Sequence, residues 1–195
     1  TNGIAYQYRR TVELDPSEPR VVLRHELANI GKRPLSSTWY PHPCYAPNER
    51  NAYAEACRVR LPLKSRGGVP DTSPRTVFPP DPLCIWGALP GSSLTGGWHS
   101  VETSDGHALM LSVSYSPAWT RFWTADHCFA IEPFLALDIP PGETRSWTME
   151  LQLCKANELE TRTGMRMLPS SDVTRLDKLS VTILSPVRDD GRGPD

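Results

Sequence analysis

The sequence predicts an all-β fold, an antiparallel β-sandwich with roughly eight or nine strand candidates. Short runs of alternating apolar and polar residues recur along the chain, which is typical of strands with one buried face. Turn sequences rich in proline, glycine and aspartate separate these runs. Proline accounts for 20 of the 195 residues. This is about twice its usual share of ~5%, and it argues against a helical bundle.

The first two predicted strands form a hairpin. Residues 4–14 and 20–29 each alternate between apolar and polar positions, and the DPSEP sequence of residues 15–19 between them favours a turn. Residues 39–47 are rich in aromatic residues and proline, so we expect an irregular segment there.

The middle of the chain is predicted to hold one strand and one long loop. Residues 55–61 favour a strand. Residues 62–82 contain six prolines and two glycines in a polar setting, which indicates an extended loop.

The second half of the chain contains the remaining strand candidates. An Asp-Gly turn at Asp105–Gly106 joins the first two of them as a hairpin. The predicted strands are residues 93–103, 107–115, 119–124, 127–138 and 145–153.

The charge balance argues against a nucleic-acid-binding protein. The chain has 21 basic and 22 acidic residues and a pI of about 6.5, whereas a polyanion binder normally carries a basic excess. No run approaches the ~20 apolar residues of a membrane-spanning helix, so we expect no membrane association. The chain starts directly into a strand-like run, so we also expect no signal peptide.

The cysteines are predicted to be free thiols. Their number is odd, their spacing is wide and no C-x-x-C sequence occurs, unlike the dense, even pattern of a disulfide scaffold. Free thiols are typical of a reducing compartment, which predicts a cytoplasmic location. The five are Cys44, Cys57, Cys84, Cys128 and Cys154.

Several motifs that carry chemistry are absent from the sequence. It has no G-x-G-x-x-G, no P-loop, no H-E-x-x-H and no G-x-S-x-G, which argues against nucleotide binding and elbow-type serine hydrolysis. His42 with Cys44, or His127 with Cys128, could start a metal site, but no third ligand suggests itself. We therefore predict no metal.

His42 is the first candidate for chemistry. Prolines at positions 41 and 43 fix the backbone on both sides and keep the segment out of strand or helix pairing. Imidazole titrates near neutrality, so a histidine aimed by such a loop can pass a proton to or from a substrate oxygen. The alternative is a buried histidine with only a packing role, as we expect for His25 on its apolar strand face.

Glu132 is the second candidate. It lies in the strongly apolar run 129–135 (FAIEPFL), where burying a carboxylate is unfavourable without a compensating partner. Desolvation makes a carboxylate more basic, which suits a general base. The alternative is a structural glutamate paired with an arginine, for instance Arg121.

Tryptophan is the third signal. Six tryptophans are many for this length, and indole faces stack on the C–H faces of sugars. A tryptophan-rich cleft with a few polar groups therefore suits a carbohydrate. The alternative is that most of these rings belong to the core.

The order of these features resembles the galactose mutarotase-like superfamily, which includes the aldose 1-epimerases. The features are His25–Asn29 (HELAN) followed by Gly31 and Pro34, the His42-Pro43 loop, Phe129–Phe134 (FAIEPF), and Pro141–Thr144 (PGET) followed by Trp147. The resemblance covers about residues 5–153.

The resemblance implies an antiparallel super-sandwich that interconverts sugar anomers without a cofactor. By position, His42 matches the general acid on the ring oxygen and Glu132 the general base on the anomeric hydroxyl. Trp98 or Trp123 would stack on the sugar, and Tyr45 and Arg121 are further candidates for substrate binding. The implied partner is a small-molecule sugar.

The resemblance also implies a division of the chain. Residues 1–155 would be the later part of the mutarotase-like domain, 156–184 a C-terminal extension and 185–195 a disordered tail. The family has a further histidine near its start, before the region where this chain begins. We therefore expect either a missing N-terminal portion or a reduced relative.

Other functions remain open on the sequence alone. The chain could be a non-catalytic carbohydrate-binding sandwich, or an accessory domain of a larger carbohydrate-active protein. A glycoside hydrolase or a polysaccharide lyase would need a second carboxylate or a Tyr/His pair that nothing in the sequence singles out. If His42 and Glu132 do not converge on one cleft, the enzyme interpretation fails.

Overall fold

The protein is nearly all β, as predicted. A computed structural model describes residues 3–46, 57–64, 70–71, 75–77, 84–103, 105–125 and 128–159. The strands are β1 (Tyr6–Leu14), β2 (Arg20–Asn29), β3 (Leu35–Trp39), β4 (Cys57–Arg60), β5 (Leu63–Lys64), β6 (Pro70–Asp71), β7 (Arg75–Val77), β8 (Cys84–Pro90), β9 (Trp98–Glu102), β10 (His107–Val113), β11 (Trp119–Ala125), β12 (Cys128–Ile139) and β13 (Thr144–Lys155). Two short 3₁₀ turns, Gly91–Ser93 and Ala156–Glu158, complete the described elements.

The described strands form two main antiparallel sheets and a small ribbon. The larger sheet has the order β1-β2-β13-β10-β9-β4-β7, the smaller one the order β3-β12-β11-β8, and β5 pairs with β6. The predicted hairpins β1–β2 and β9–β10 are confirmed, and β2 and β10 both pair with the last strand, β13.

The core lies between the two sheets. One buried cluster joins strands β4 and β9 of the larger sheet to β8, β11 and β12 of the smaller one, with Val59, Val101 and Phe122 among its members. A second cluster packs Leu27 and Trp147 of the larger sheet against the distal half of β12. The alternation along most strands therefore buries one face of each sheet and leaves an outer face on both sides of the sandwich. The edge strand β1 is the exception, since it alternates in sequence but is exposed along its whole length.

The HELAN-x-G and PGET sequences meet at one corner of the sandwich, where their role is structural. The buried Asn29 amide donates to the carbonyls of Arg33 and Ile139 at 2.8 Å, and its Oδ1 accepts the Gly31 N–H at 3.0 Å. The Asn29 N–H donates to the carbonyl of Glu143 at 2.9 Å. One side chain thus ties the turn after β2 to the end of β12.

Five described strands escaped the sequence analysis, namely β3, β8 and three short strands in the middle of the chain. β3 (LSSTW) is short and its middle is polar and exposed, so no alternation signals it. β8 (CIWGALP) lies between stretches rich in proline and glycine. The predicted loop 62–82 also contains the short strands β5, β6 and β7.

The C-terminal predictions lie largely outside the described residues. The described chain ends with the 3₁₀ turn Ala156–Glu158 and the buried Leu159. Within the described parts, no helix is long and apolar enough to cross a membrane.

Candidate active site

The segment after β3 continues along β12 without becoming a strand. Trp39 pairs with Leu135, and an isolated bridge pairs Tyr45 with Phe129 further along. Both pairs belong to the same antiparallel register, so residues 40–44 run beside β12 between two fixed points. The prolines in this segment have no N–H to donate to a ladder, which explains its irregular backbone.

This register brings His42 opposite Glu132. Phe129 and Ile131 of β12 point into the core, so Glu132 lies on the other, outer face of the smaller sheet. His42 Nε2 is 3.2 Å from Glu132 Oε1. The two residues that the sequence analysis proposed as acid and base are therefore neighbours.

Glu132 is fully buried and held from its other side. Arg121, its cross-strand partner on β11, donates from Nε to Glu132 Oε2 at 2.6 Å. Oε1 makes no hydrogen bond among the described residues, because the approach of the His42 ring at 3.2 Å lacks hydrogen-bond geometry. The His42 side chain is 38% exposed. The imidazole therefore separates the free carboxylate oxygen from solvent.

Arg121 lies against a pair of stacked aromatic rings. Its guanidinium carbon lies 4.9 Å from the Tyr40 ring centre and 4.8 Å from that of Phe134, and these two rings stack on each other. Partial burial alone would lower the pKa of Arg121, but the hydrogen bond and negative charge of Glu132 outweigh it and raise that pKa. The guanidinium thus stays charged and orients the carboxylate.

Trp123 lies beside His42. Its ring centre is 4.7 Å from that of His42, with the planes at 71°. The Cys44 sulfur is 3.5 Å from His42 Nδ1, on the opposite edge of the imidazole from Glu132. His42 therefore has a different partner at each ring nitrogen.

Tyr45 does not belong to this site, contrary to the sequence prediction. Side chains alternate between the two faces along this extended segment, and Tyr45 is on the face opposite to Tyr40, His42 and Cys44. Its ring therefore points into the core and is buried. Its hydroxyl is 2.6 Å from Nε2 of the buried His99. Burial lowers the pKa of His99 to about 3 and raises the pKa of Tyr45, so both groups stay neutral at physiological pH.

Trp98 is also placed elsewhere. It lies on β9 of the larger sheet, next to His99, which points inward to Tyr45. Alternation turns Trp98 to the outer face of the larger sheet, whereas Glu132 is on the outer face of the smaller one. The sequence shows that Trp98 sits on a strand, but not which face of which sheet that strand presents.

Three aromatic rings around the site were not singled out as site residues. They are Tyr40 and Phe134, which enclose Arg121, and Trp119, which stacks on Phe134 with ring centres 4.8 Å apart. Trp119, Arg121 and Trp123 occupy alternate positions of β11. This period-two pattern is a signal that could have grouped them on one face.

The arrangement places one carboxylate and one imidazole side by side beneath an indole. A carboxylate oxygen that lacks a hydrogen bond, as Glu132 Oε1 does, can accept a proton, and an imidazolium can donate one. Within the described residues, no cluster of three His, Cys, Asp or Glu side chains could hold a metal ion.

Comparison with solved structures identifies the fold. The Slr1438 protein from Synechocystis superposes with a TM-score of 0.59 at 14% identity, over 78% of this chain and 56% of that one. A GalM/aldose epimerase homologue from C. elegans gives 0.56 at 12% identity, over 80% and 62%. A galactose mutarotase-like protein from Clostridium acetobutylicum gives 0.53 at 13% identity, over 78% and 57%.

The chain therefore has the galactose mutarotase-like fold, as the sequence resemblance implied. It spans between 56% and 62% of the length of these three proteins. No family model and no curated protein matches the sequence.

Proposed function

We propose that this chain carries the acid–base pair of an aldose 1-epimerase-like isomerase that interconverts the anomers of a small sugar. The observation that supports this most is the pairing of His42 and Glu132 on one outer face of the mutarotase-like sandwich. The proposal includes a cytoplasmic location. The identity of the sugar is left to the assay below.

Glu132 is the general base in this proposal. Its Oε2 is occupied by Arg121, which leaves Oε1 to take the proton of the anomeric hydroxyl. His42, in its protonated form, gives a proton to the ring oxygen, and the C1–O5 bond breaks. Rotation about C1–C2 and the reverse proton transfers close the ring with the other configuration, so no proton is gained or lost overall.

Substrate entry requires movement of His42 in this mechanism. Oε1 has no accessible surface while the imidazole stands 3.2 Å away, and a sugar must come between the two groups. The segment 40–44 is flanked by backbone pairs with β12 at Trp39 and Tyr45, but it is not itself part of a strand. Lifting its centre would expose Oε1 and open the Trp123 face to the sugar ring.

The test is anomer exchange measured by NMR on a panel of aldoses. Wild-type protein should accelerate exchange for at least one sugar, and Glu132→Gln should lower kcat by about 100-fold or more, because a neutral amide cannot accept the proton. Glu143→Gln, at an exposed turn, is the matched control and should keep the wild-type rate. No acceleration over buffer for any aldose, or equal rates in wild type and Glu132→Gln, would refute the proposal.

A non-catalytic carbohydrate-binding domain is the second candidate. The complete burial of Glu132 against Arg121 favours it, since this is also what a structural ion pair looks like. Under this alternative, a sugar would bind at Trp123 with the same affinity in wild type and in Glu132→Gln, and exchange would not be accelerated.

A further inference from the structure

Two cysteine side chains meet at the end of the segment that carries His42. Tyr45 and Phe129 exchange both backbone hydrogen bonds, with N···O distances of 2.8 and 3.1 Å. Cys44 and Cys128 each precede one member of this pair, so they are diagonal neighbours across it. The Cys128 thiol is near enough to the Cys44 thiol for Cys44 to raise its pKa.

This placement is compatible with a disulfide. Diagonal neighbours across an antiparallel pair lie about 7–8 Å apart, just beyond the about 4.4–6.8 Å that a disulfide usually spans between Cα atoms. A shift of the irregular segment 40–44 towards β12 would bring the two Cα atoms into this range. Cys154 belongs to a different buried cluster, with Ala108, Met110 and Leu159.

The two thiols differ in reactivity. Cys44 is exposed, and its sulfur lies 3.5 Å from His42 Nδ1, which can take the thiol proton as the sulfur reacts. Burial, and then the neighbouring Cys44, raise the pKa of Cys128. A cavity of about 210 Å³ borders Cys44 and gives a small reagent room to approach. Cys44 is thus the attacking thiol and Cys128 the resolving one.

We propose that Cys44 and Cys128 form a reversible disulfide that holds segment 40–44 against β12 and closes the His42–Glu132 site. The oxidant is a small-molecule disulfide such as oxidised glutathione. The Cys44 thiolate attacks it and releases one glutathione thiol. The Cys128 thiolate then attacks the Cys44 sulfur and releases the second. Two protein thiols are oxidised, one disulfide is reduced, and the two protons leave on glutathione.

The effect on activity rests on the proposed function. Substrate entry there requires the His42 ring to move away from Glu132 Oε1. A covalent bond at Cys44, two residues from His42, ties the segment to β12 and opposes this movement. The dithiol, in which the segment is free to lift, is the state expected in a reducing compartment, and oxidation locks the segment in its closed position.

The experiment incubates the full chain with oxidised or reduced glutathione, maps disulfides by peptide mass spectrometry, and measures anomer exchange on the same samples. We expect a peptide linking Cys44 to Cys128 in the oxidised sample only, and its loss on addition of dithiothreitol. The oxidised protein should exchange anomers at least about fivefold more slowly, with full recovery on reduction.

Variants separate the pair from other thiols. Cys44→Ser, which lacks the attacking thiol, should keep its own reduced-state rate after the same oxidation. Cys128→Ser should retain glutathione on Cys44, and the control Cys154→Ser should respond like wild type. In oxidised wild type, glutathione retained on Cys44 without a Cys44–Cys128 link would overturn the proposed disulfide. A link that leaves the rate unchanged would overturn the control of activity. If the reduced wild type shows no exchange, the proposed function has failed, and the disulfide map still decides whether the pair forms.

Discussion

At the scale of single residues, the carboxylate of Glu132 owes its orientation to Arg121. The guanidinium holds Oε2 and is itself held by the Tyr40 and Phe134 rings. Removing one partner of a buried ion pair leaves the other charge uncompensated, which is far more costly than losing an exposed pair. Arg121 therefore positions the Glu132 carboxylate and takes no part in proton transfer itself.

The Arg121→Gln variant tests this role. Because Glu132 has no exposed surface, we expect the free energy of unfolding to fall by about 3 kcal/mol and kcat by about tenfold. Arg121→Lys should recover part of both losses, since it keeps the charge. Urea denaturation and anomer exchange measure the two effects.

The matched control is Arg9→Gln, which breaks an exposed pair with Glu26 whose side chains are 70% and 42% exposed. Its cost should stay below about 1 kcal/mol. If the Arg9 and Arg121 variants lost equal amounts of free energy of unfolding, the buried Arg121–Glu132 pair would stabilise the fold no more than an exposed pair does.

At the scale of elements, the register of β12 against the chain after β3 decides which residues form the site. The sequence analysis singled out His42 and Glu132, which lie side by side in the structure, because the proline-braced loop and the carboxylate in an apolar strand are local signals. It misassigned Tyr45, because whether a loop residue points in or out depends on a pairing with Phe129 far along the chain. Trp98 was misassigned for a similar reason, because which sheet a strand joins depends on pairing with strands that are distant in the sequence.

The Asn29 side chain connects the end of β2 to the end of β12. Its amide makes three hydrogen bonds in a buried position, so Asn29→Ala leaves the carbonyls of Arg33 and Ile139 and the Gly31 N–H without these partners. We expect a loss of about 2–3 kcal/mol in the free energy of unfolding, measured by urea denaturation.

The comparison variant is Asn157→Ala, at an exposed position of the final 3₁₀ turn, which should change stability by less than about 0.5 kcal/mol. A similar small change in Asn29→Ala would show that the corner does not depend on this amide.

At the scale of the whole molecule, the buried His99–Tyr45 pair couples stability to pH. The pKa of His99 is lowered from 6.5 to about 3 by burial, so the unfolded chain binds a proton that the folded protein excludes. Stability is therefore complete above pH 6.5 and falls as the pH drops from about 6.5 towards 3, by up to about 1.4 kcal/mol per pH unit. His25, whose pKa is lowered by burial and by Arg10, acts in the same direction.

We expect wild type to lose about 2 kcal/mol more between pH 7 and pH 5 than His99→Gln, which has no titrating group at this position. Urea unfolding at the two pH values measures the difference. Parallel pH dependences of the two proteins would contradict the assignment of a neutral, buried imidazole at position 99.

The fold as a whole was more predictable than the site. Most strands alternate clearly, and the HELAN-x-G and PGET turns are joined by Asn29 and Glu143 in the structure, which explains why they signalled the architecture. The enclosure of Arg121 by Tyr40 and Phe134 was not predictable, because it requires three elements to meet on one outer face.

The most direct test of the account is a crystal structure of Glu132→Gln soaked with a hexose that wild type accepts. The account predicts the sugar against Trp123, with its anomeric hydroxyl at the side chain of position 132 and its ring oxygen within hydrogen-bond distance of the His42 imidazole. A hexose bound at Trp98 on the opposite face, or one that reaches Trp123 without contacting either His42 or position 132, would contradict it.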